Sequence, residues 1–322
     1  MYTTACASGR LMKRTTKALA LGFAAVLCFL FTSIHALADN IFVSTDVGTY
    51  TIEEFDSSGN GSLFANAGSG LVNPAGLAFD SFGNLYVANA GTSVGNWSVE
   101  KFDSSGHGTV FANTGLAQPL GLAFGSSGNL YVANFGAHGN SGFVEKFDSS
   151  SNGTVFADAN SGIELAVAVA FDKAGYLYVL NFDPNYIQKF DTAGNGSLFT
   201  SSGLNAPEGL AFDSSGNLYV ANSGNSTIEK FDTNGVGSVF IDTGLDEPVS
   251  LAFDSSGNLY VANYGNGTID KYDTGGHLSV FASGLDGPTS IAVEIPEPET
   301  YPLIVLGSCA FLATRRRGRR PR

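Results

Sequence analysis

The sequence predicts an all-β protein, a ring of six four-stranded antiparallel sheets forming a six-bladed β-propeller. Three observations lead there. The stretch "GNLYVAN" and its variants recur with anchors at Ile41, Leu85, Leu130, Leu177, Leu218 and Leu259, giving spacings of 44, 45, 47, 41 and 41 residues. A period of roughly 40–50 residues marks an array of blade-sized units. Within each unit, runs such as "LYVAN", "TIEKFD", "GSVFA" and "GLAFD" are separated by Gly, Asn, Ser and Pro clusters. They are too short for helices, and their β-branched and aromatic residues suit a pleated surface. Finally, 16 of the 25 phenylalanines fall at three equivalent positions, in "AFD", "KFD" and "VFA". Sheets that cannot bury their faces alone would use such a ladder to cover one another.

The elements follow in chain order. Residues 1–38 carry "KRTTK" at 13–17, an uncharged apolar stretch from Ala18 to Phe31, and Ala36-Leu37-Ala38. Basic, apolar and cleavable segments in that order predict a secretory signal peptide, cut after Ala38. Residues 39–294 hold the repeats. The first copy lacks a preceding "GLAFD", whereas the last ends on an unpaired "SIAVE", Ser290 to Glu294. That segment is expected to supply the missing strand of the first blade, so the ring closes where the two termini meet and only the outer blade edges stay unpaired. Residues 295–322 contain Pro296-Glu297-Pro298, an apolar run from Tyr301 to Thr314 and six arginines. As a helix that run spans about 20 Å against roughly 30 Å of hydrocarbon, a short transmembrane helix whose arginines stay cytoplasmic.

Charge and cysteine narrow the function. Four basic residues near the start and six at the end leave six lysines against 29 carboxylates between residues 18 and 314, a formal net charge of −23 there. Such a surface repels phosphate backbones and excludes a nucleic-acid partner. Cys6, Cys28 and Cys309 all lie outside the repeats, which therefore use neither disulfide nor thiolate chemistry.

Two resemblances follow from these residues. The unit Pro-x-Gly-Leu-Ala-Phe-Asp-Ser-Ser-Gly-Asn-Leu-Tyr-Val-Ala-Asn resembles the NHL repeat across nearly all of residues 40–294, which implies a six-bladed NHL-like propeller. Pro296, Glu297 and Pro298, followed by a short apolar helix and an arginine cluster, resemble the PEP-CTERM sorting signal of Gram-negative bacteria. That resemblance implies processing by an exosortase at the inner membrane, for cell-surface display or release, in bacteria that make exopolysaccharide.

Candidate sites are weighed against turn chemistry. "DSSGNG" from Asp56 matches the opening of a calcium loop, yet its twelfth place is Ala67, and the copies from Asp148 and Asp191 have Ala159 and Ser202 there. These read as turns in which Asp bonds nearby backbone. Of four histidines, His35 is in the signal, while His107 and His277 lie in turns opposite the "VAN" face; only His138 sits on that face, so no pair converges. Streptogramin-lyase-like propellers use His and Glu around a metal, a set this chain cannot supply. Gluconolactonase-like propellers use carboxylate and Asn ligands at the channel mouth, and there Glu208 is a formal match, with Asn134, Asn181, Asn222 and Asn263 placed to line the mouth. The repeated Asn reads more simply as satisfying backbone at each blade.

Binding is sought where repeat symmetry breaks. The fourth unit carries Phe182-Asp183-Pro184-Asn185-Tyr186, and two long loops hold Trp97, Phe135 and His138. Aromatics beside Asn and Asp suit carbohydrate stacking and hydrogen bonding. The expectation is an exported, non-catalytic propeller that binds polysaccharide or protein partners in the envelope or biofilm matrix without a cofactor, through Trp97, Phe135, His138, Phe182, Asp183, Tyr186 and Glu208. The alternative is a lactonase-like hydrolase with a divalent cation in the channel.

Overall fold

The computed structural model describes residues 39–295, apart from 49, 94 and 137–140. Six four-stranded antiparallel sheets make up the described fold. Blade 2 is representative, with strands Pro74–Phe79, Leu85–Asn89, Ser98–Phe102 and Gly108–Ala112 running outward in sequence order. The innermost strand of each blade touches the innermost strands of both neighbours around the whole ring. Small residues permit this approach: a Cβ on Gly76 would collide with the Leu120 carbonyl of the next blade, and one on Gly209 with that of Val249.

Blade 1 is built from both ends of the repeat region. Pro288–Glu294 pairs antiparallel with Asn40–Thr45, placing Ile41 opposite Val293 and Val43 opposite Ile291. The closing strand is also pinned sideways, because Leu77 N–H donates to Ser290 Oγ at 3.3 Å and Ile291 N–H to Ser250 Oγ at 3.1 Å. The expected closure is thus present, with the predicted segment in the predicted place.

The core lies between blades. One cluster joins Tyr86, Ala88, Val99 and Ala112 of blade 2 to Leu122, Leu130, Val132 and Phe147 of blade 3, and five equivalents complete the ring. The phenylalanine ladder has a hub that the Phe pattern alone did not reveal, the tyrosine of "LYV". Tyr86 meets Phe111 of its own blade at 5.1 Å and Phe124 of the next at 4.9 Å, both edge-on. The arrangement repeats at Tyr131, Tyr178 and Tyr219, and edge-to-face pairs of this kind add to the value of burial. The three Phe series are not equally buried. Phe102, Phe147, Phe190 and Phe231 of "KFD" are essentially inaccessible, whereas the other two series sit at half-buried margins and Phe240 is 43% exposed.

The calcium-like turns are local structure. Asp56 Oδ1 accepts from the N–H groups of Ser58 and Asn60, and Oδ2 accepts from Asn60 Nδ2. The same set recurs at Asp148 and Asp191, so these carboxylates are spent on backbone. On the outer rim, Leu63, Val110, Val155, Leu198, Val239 and Val280 occupy equivalent exposed places on the unpaired edge strands. Among the described residues no helix is long and apolar enough to cross a membrane. The expected signal peptide with its cleavage residues Ala36 and Ala38, the Pro296-Glu297-Pro298 motif and the apolar run 301–314 lie outside the described residues.

Candidate functional site

The "VAN" asparagine builds the mouth of the ring. Asn134 Oδ1 accepts from Ala117 N–H at 2.9 Å, and Asn89, Asn181, Asn222 and Asn263 likewise hold Val72, Glu164, Asn205 and Asp246, each seventeen residues earlier. These side chains are at most 1% exposed. Each thereby clamps the loop that leads into its blade's innermost strand, and the residue after it is delivered to the central cavity. There a second bond locks the register: the N–H of Ala90, Phe135, Phe182, Ser223 and Tyr264 donates to the carbonyl of Asn73, Gln118, Leu165, Ala206 and Glu247 respectively. Asp46 does the same in blade 1, donating to Gly287. Four of those acceptors, Asn73, Gln118, Ala206 and Glu247, hold positive φ of 43–55°. That left-handed conformation costs a non-glycine residue free energy, and such strain gathers at functional sites.

The resulting cavity has a volume of about 840 Å³, within the usual range for small-molecule sites. Its wall is organised in tiers with one residue per blade. The mouth tier is Asp46, Ala90, Phe135, Phe182, Ser223 and Tyr264; below it stands the variable position of Pro-x-Gly, occupied by Thr289, Ala75, Leu120, Val167, Glu208 and Val249. The tiers are not symmetric. Blades 2 to 4 present Ala90, Phe135, Phe182, Leu120 and Val167, with the two phenyl rings edge-on at 6.4 Å. In the same tiers blades 5, 6 and 1 present Ser223, Glu208, Tyr264, Val249, Asp46 and Thr289, with Glu247 alongside. Among the described residues no Lys, Arg or His lies in the wall.

The acidic half is electrostatically strained. Burial pushes the Glu208 carboxyl above its usual range, opposed by the Ser223 hydrogen bond and reinforced by the charge of Glu247. Ser223 Oγ lies 2.9 Å from both Glu208 Oε1 and the Ala206 carbonyl oxygen. Ser223 has one hydroxyl proton for these two acceptors, so at any moment it donates either to the Glu208 carboxylate or to the Ala206 carbonyl. Burial likewise raises Asp46, and the Tyr264 hydroxyl is raised first by the charge of Asp46, then by burial and by Glu247. The charge of Glu247 thus reaches both Glu208 and Tyr264, and that of Asp46 reaches Tyr264.

The structure sorts the residues picked out in the sequence. Phe135, Phe182 and Glu208 line the cavity together. Trp97 is half-buried beside Gly91, away from the cavity wall. Asp183 is exposed in a turn, and Tyr186 spends its hydroxyl on the Gly162 carbonyl at 2.9 Å. His138 lies outside the described residues. Asp46, Tyr264, Glu247, Asn73 and Gln118 were missed; comparing the units column by column, at the position after "VAN" and around Pro-x-Gly, would have found them.

A divalent cation of the kind imagined at Glu208 is not well served here. The asparagine oxygens expected to join it are engaged by backbone N–H groups, and among the described residues no three His, Cys, Asp or Glu side chains converge as metal ligands.

Comparison with known proteins agrees on the fold. The NHL repeat family model matches residues 204–231, the blade 5 segment that contains Glu208. No curated protein matches the chain. Among solved structures, a chain of a nidogen/laminin complex superposes with a TM-score of 0.68 at 18% identity, covering 79% of this chain and 98% of that one. Virginiamycin B lyase from Staphylococcus aureus gives a TM-score of 0.55 at 13% identity over 79% of this chain and 87% of its own. A gluconolactonase from Xanthomonas campestris gives 0.57 at 16% identity over 67% and 78%. At these identities the likeness is one of fold: the protein is a six-bladed β-propeller with an NHL-repeat match.

Proposed function

We propose that this protein is an exported, non-catalytic propeller that binds a polysaccharide or protein partner of the cell envelope or biofilm matrix at its central cavity. The observation that carries the reading is the division of one cavity wall into an apolar aromatic half and an acidic, hydroxyl-bearing half. A ligand with one apolar face and one polar edge, such as a sugar ring, matches that division. Export and display rest on the signal-like residues 1–38 and the Pro296-Glu297-Pro298 tail, for which an exosortase-type protease is the expected partner.

Binding of exopolysaccharide to the exported protein should weaken on Phe182→Ala and persist on Trp97→Ala. Equal loss from both, or from neither, would move the site elsewhere. Turnover of a lactone panel, with or without calcium, zinc or manganese, would replace the binding role with a hydrolytic one. Intact mass of the exported protein tests sorting separately, through loss of everything beyond the Pro-Glu-Pro region.

A further inference from the structure

We infer that the cavity selects a sugar bearing a free ammonium group, an amino sugar of the glucosamine type, over neutral, acidic or N-acylated sugars. The inference rests on the binding role proposed above and names its ligand class. Asp46, Glu208 and Glu247 stand in the wall, and among the described residues no cationic side chain there offsets them. Asp46 and Glu208 are partly buried and Glu247 is exposed, and like charges gathered on one wall raise the cost of burying each other. Asp46 Oδ1 is buried and accepts no hydrogen bond among the described residues, so the charge of this carboxylate is not fully compensated by the fold. A uronic acid or phosphate would be repelled, and a neutral sugar would leave the carboxylates uncompensated. An ammonium group supplies three donors and one positive charge.

The opposite half sets the rest of the ligand. Phe135 and Phe182 offer apolar ring surface across the cavity, suited to the C–H face of a pyranose. Gln118 adds an amide at the rim, and Asn73, whose Nδ2 donates to the Gly91 carbonyl, adds its Oδ1. A lysine side chain from a protein partner would satisfy the carboxylates, but its alkyl stem brings nothing for those rim amides. Ring hydroxyls use them, and this favours the sugar.

The test is calorimetric titration of the exported protein with three oligosaccharide sets of matched length: β-linked glucosamine, β-linked N-acetylglucosamine and β-linked glucose. Saturable binding is expected for the free-amine set alone, weakened about tenfold by Glu208→Gln or by Glu247→Gln, as loss of one charge-assisted contact implies. Neither variant should lower the unfolding midpoint, which separates lost contact from lost fold. Two results would overturn the inference while leaving the binding role intact: equal affinity for the acetylated or neutral set with Phe182→Ala still damaging, or free-amine binding indifferent to both Gln variants. Preference for a lysine-rich peptide over the amino sugar would overturn the choice of sugar. No saturable binding of any saccharide would remove the inference and the polysaccharide form of the binding role together.

Discussion

Replacing Phe147 by Ala tests the claim that the ring is held by packing between blades. Phe147 is 1% exposed, packs in the cluster shared by blades 2 and 3, and meets Phe111 at 6.0 Å in an edge-on arrangement. Space around it is fully used, since a Cβ on Gly153 would lie 2.8 Å from the Phe147 ring. Truncation removes about 150 Å² of buried apolar surface, worth roughly 4 kcal/mol at ~25 cal/mol per Å². Loss of the aromatic pair adds about 0.5–1.5 kcal/mol. The walls belong to separate hydrogen-bonded sheets and cannot easily collapse into the gap, so the cost should fall near the upper part of the ~3–5 kcal/mol seen for such changes. Phe82→Ala is the control: Phe82 is 88% exposed, and its loss should stay within about 0.5 kcal/mol. Guanidinium denaturation gives both values, with an unchanged slope showing that the same surface is exposed on unfolding. A Phe147→Ala cost below about 1.5 kcal/mol, or one equal to the Phe82→Ala cost, would refute packing between blades as the main source of stability.

Three further outcomes follow from the same structure. A chain ending at Asp286 loses Pro288–Glu294, leaving Asn40–Thr45 as an open edge; circular dichroism and size exclusion should show loss of cooperative unfolding and association, and a monomer with the parent midpoint would count against closure by that strand. Asn134→Ala should cost about 1–3 kcal/mol by orphaning the Ala117 N–H, with faster amide exchange at residue 117 as the local readout. Burial raises the carboxyls of Glu100, Glu145, Glu229 and Asp270, so the folded state binds their protons more readily and stability should rise as pH falls from 8 towards 5. The turn carboxylates Asp56 and Asp148 are lowered, chiefly by Asn60 and Asn152, so their contribution is lost only at still lower pH, below the usual carboxylate range. Glu145→Gln should flatten the neutral-to-acid rise, because Gln188 already fills the equivalent place in blade 4; a midpoint that falls steadily from pH 8 to 5 would reverse the sign.

The fold was legible because repetition turns weak local signals into a strong one. A single "LYVAN" is ambiguous, but four copies and two variants at near-constant spacing, with "SIAVE" left over at the far end, leave little besides a ring closed by the last strand. Turn carboxylates and the "VAN" asparagines, the latter in five of the six blades, were legible for the same reason: chemistry that recurs from blade to blade serves what the blades have in common. The cavity was only partly legible. Attention to unusual loops picked out Phe135 and Phe182, which reach the mouth, and also Trp97 and Tyr186, which do not line it. Loop length says little about where a side chain ends up. Asp46 and Tyr264 escaped because each sits in an ordinary loop, distinguished only by its column in the repeat.

That column structure separates stability from specificity, and one substitution exposes the separation. Glu208 occupies the tier that holds Val167 and Val249 in blades 4 and 6, so a valine fits its backbone setting. The carboxylate is penalised by burial and by Glu247, and Ser223 keeps a second acceptor in the Ala206 carbonyl. Removing Glu208 therefore leaves no donor stranded and relieves a desolvated charge. Glu208→Val should raise the unfolding midpoint at neutral pH, by about 0.5–2 kcal/mol as for other changes that relieve strain at a functional site, while abolishing ligand binding. If Glu208 instead holds the ring together, the valine variant will unfold earlier than the parent, and the acidic half of the cavity would then belong to the architecture rather than to recognition.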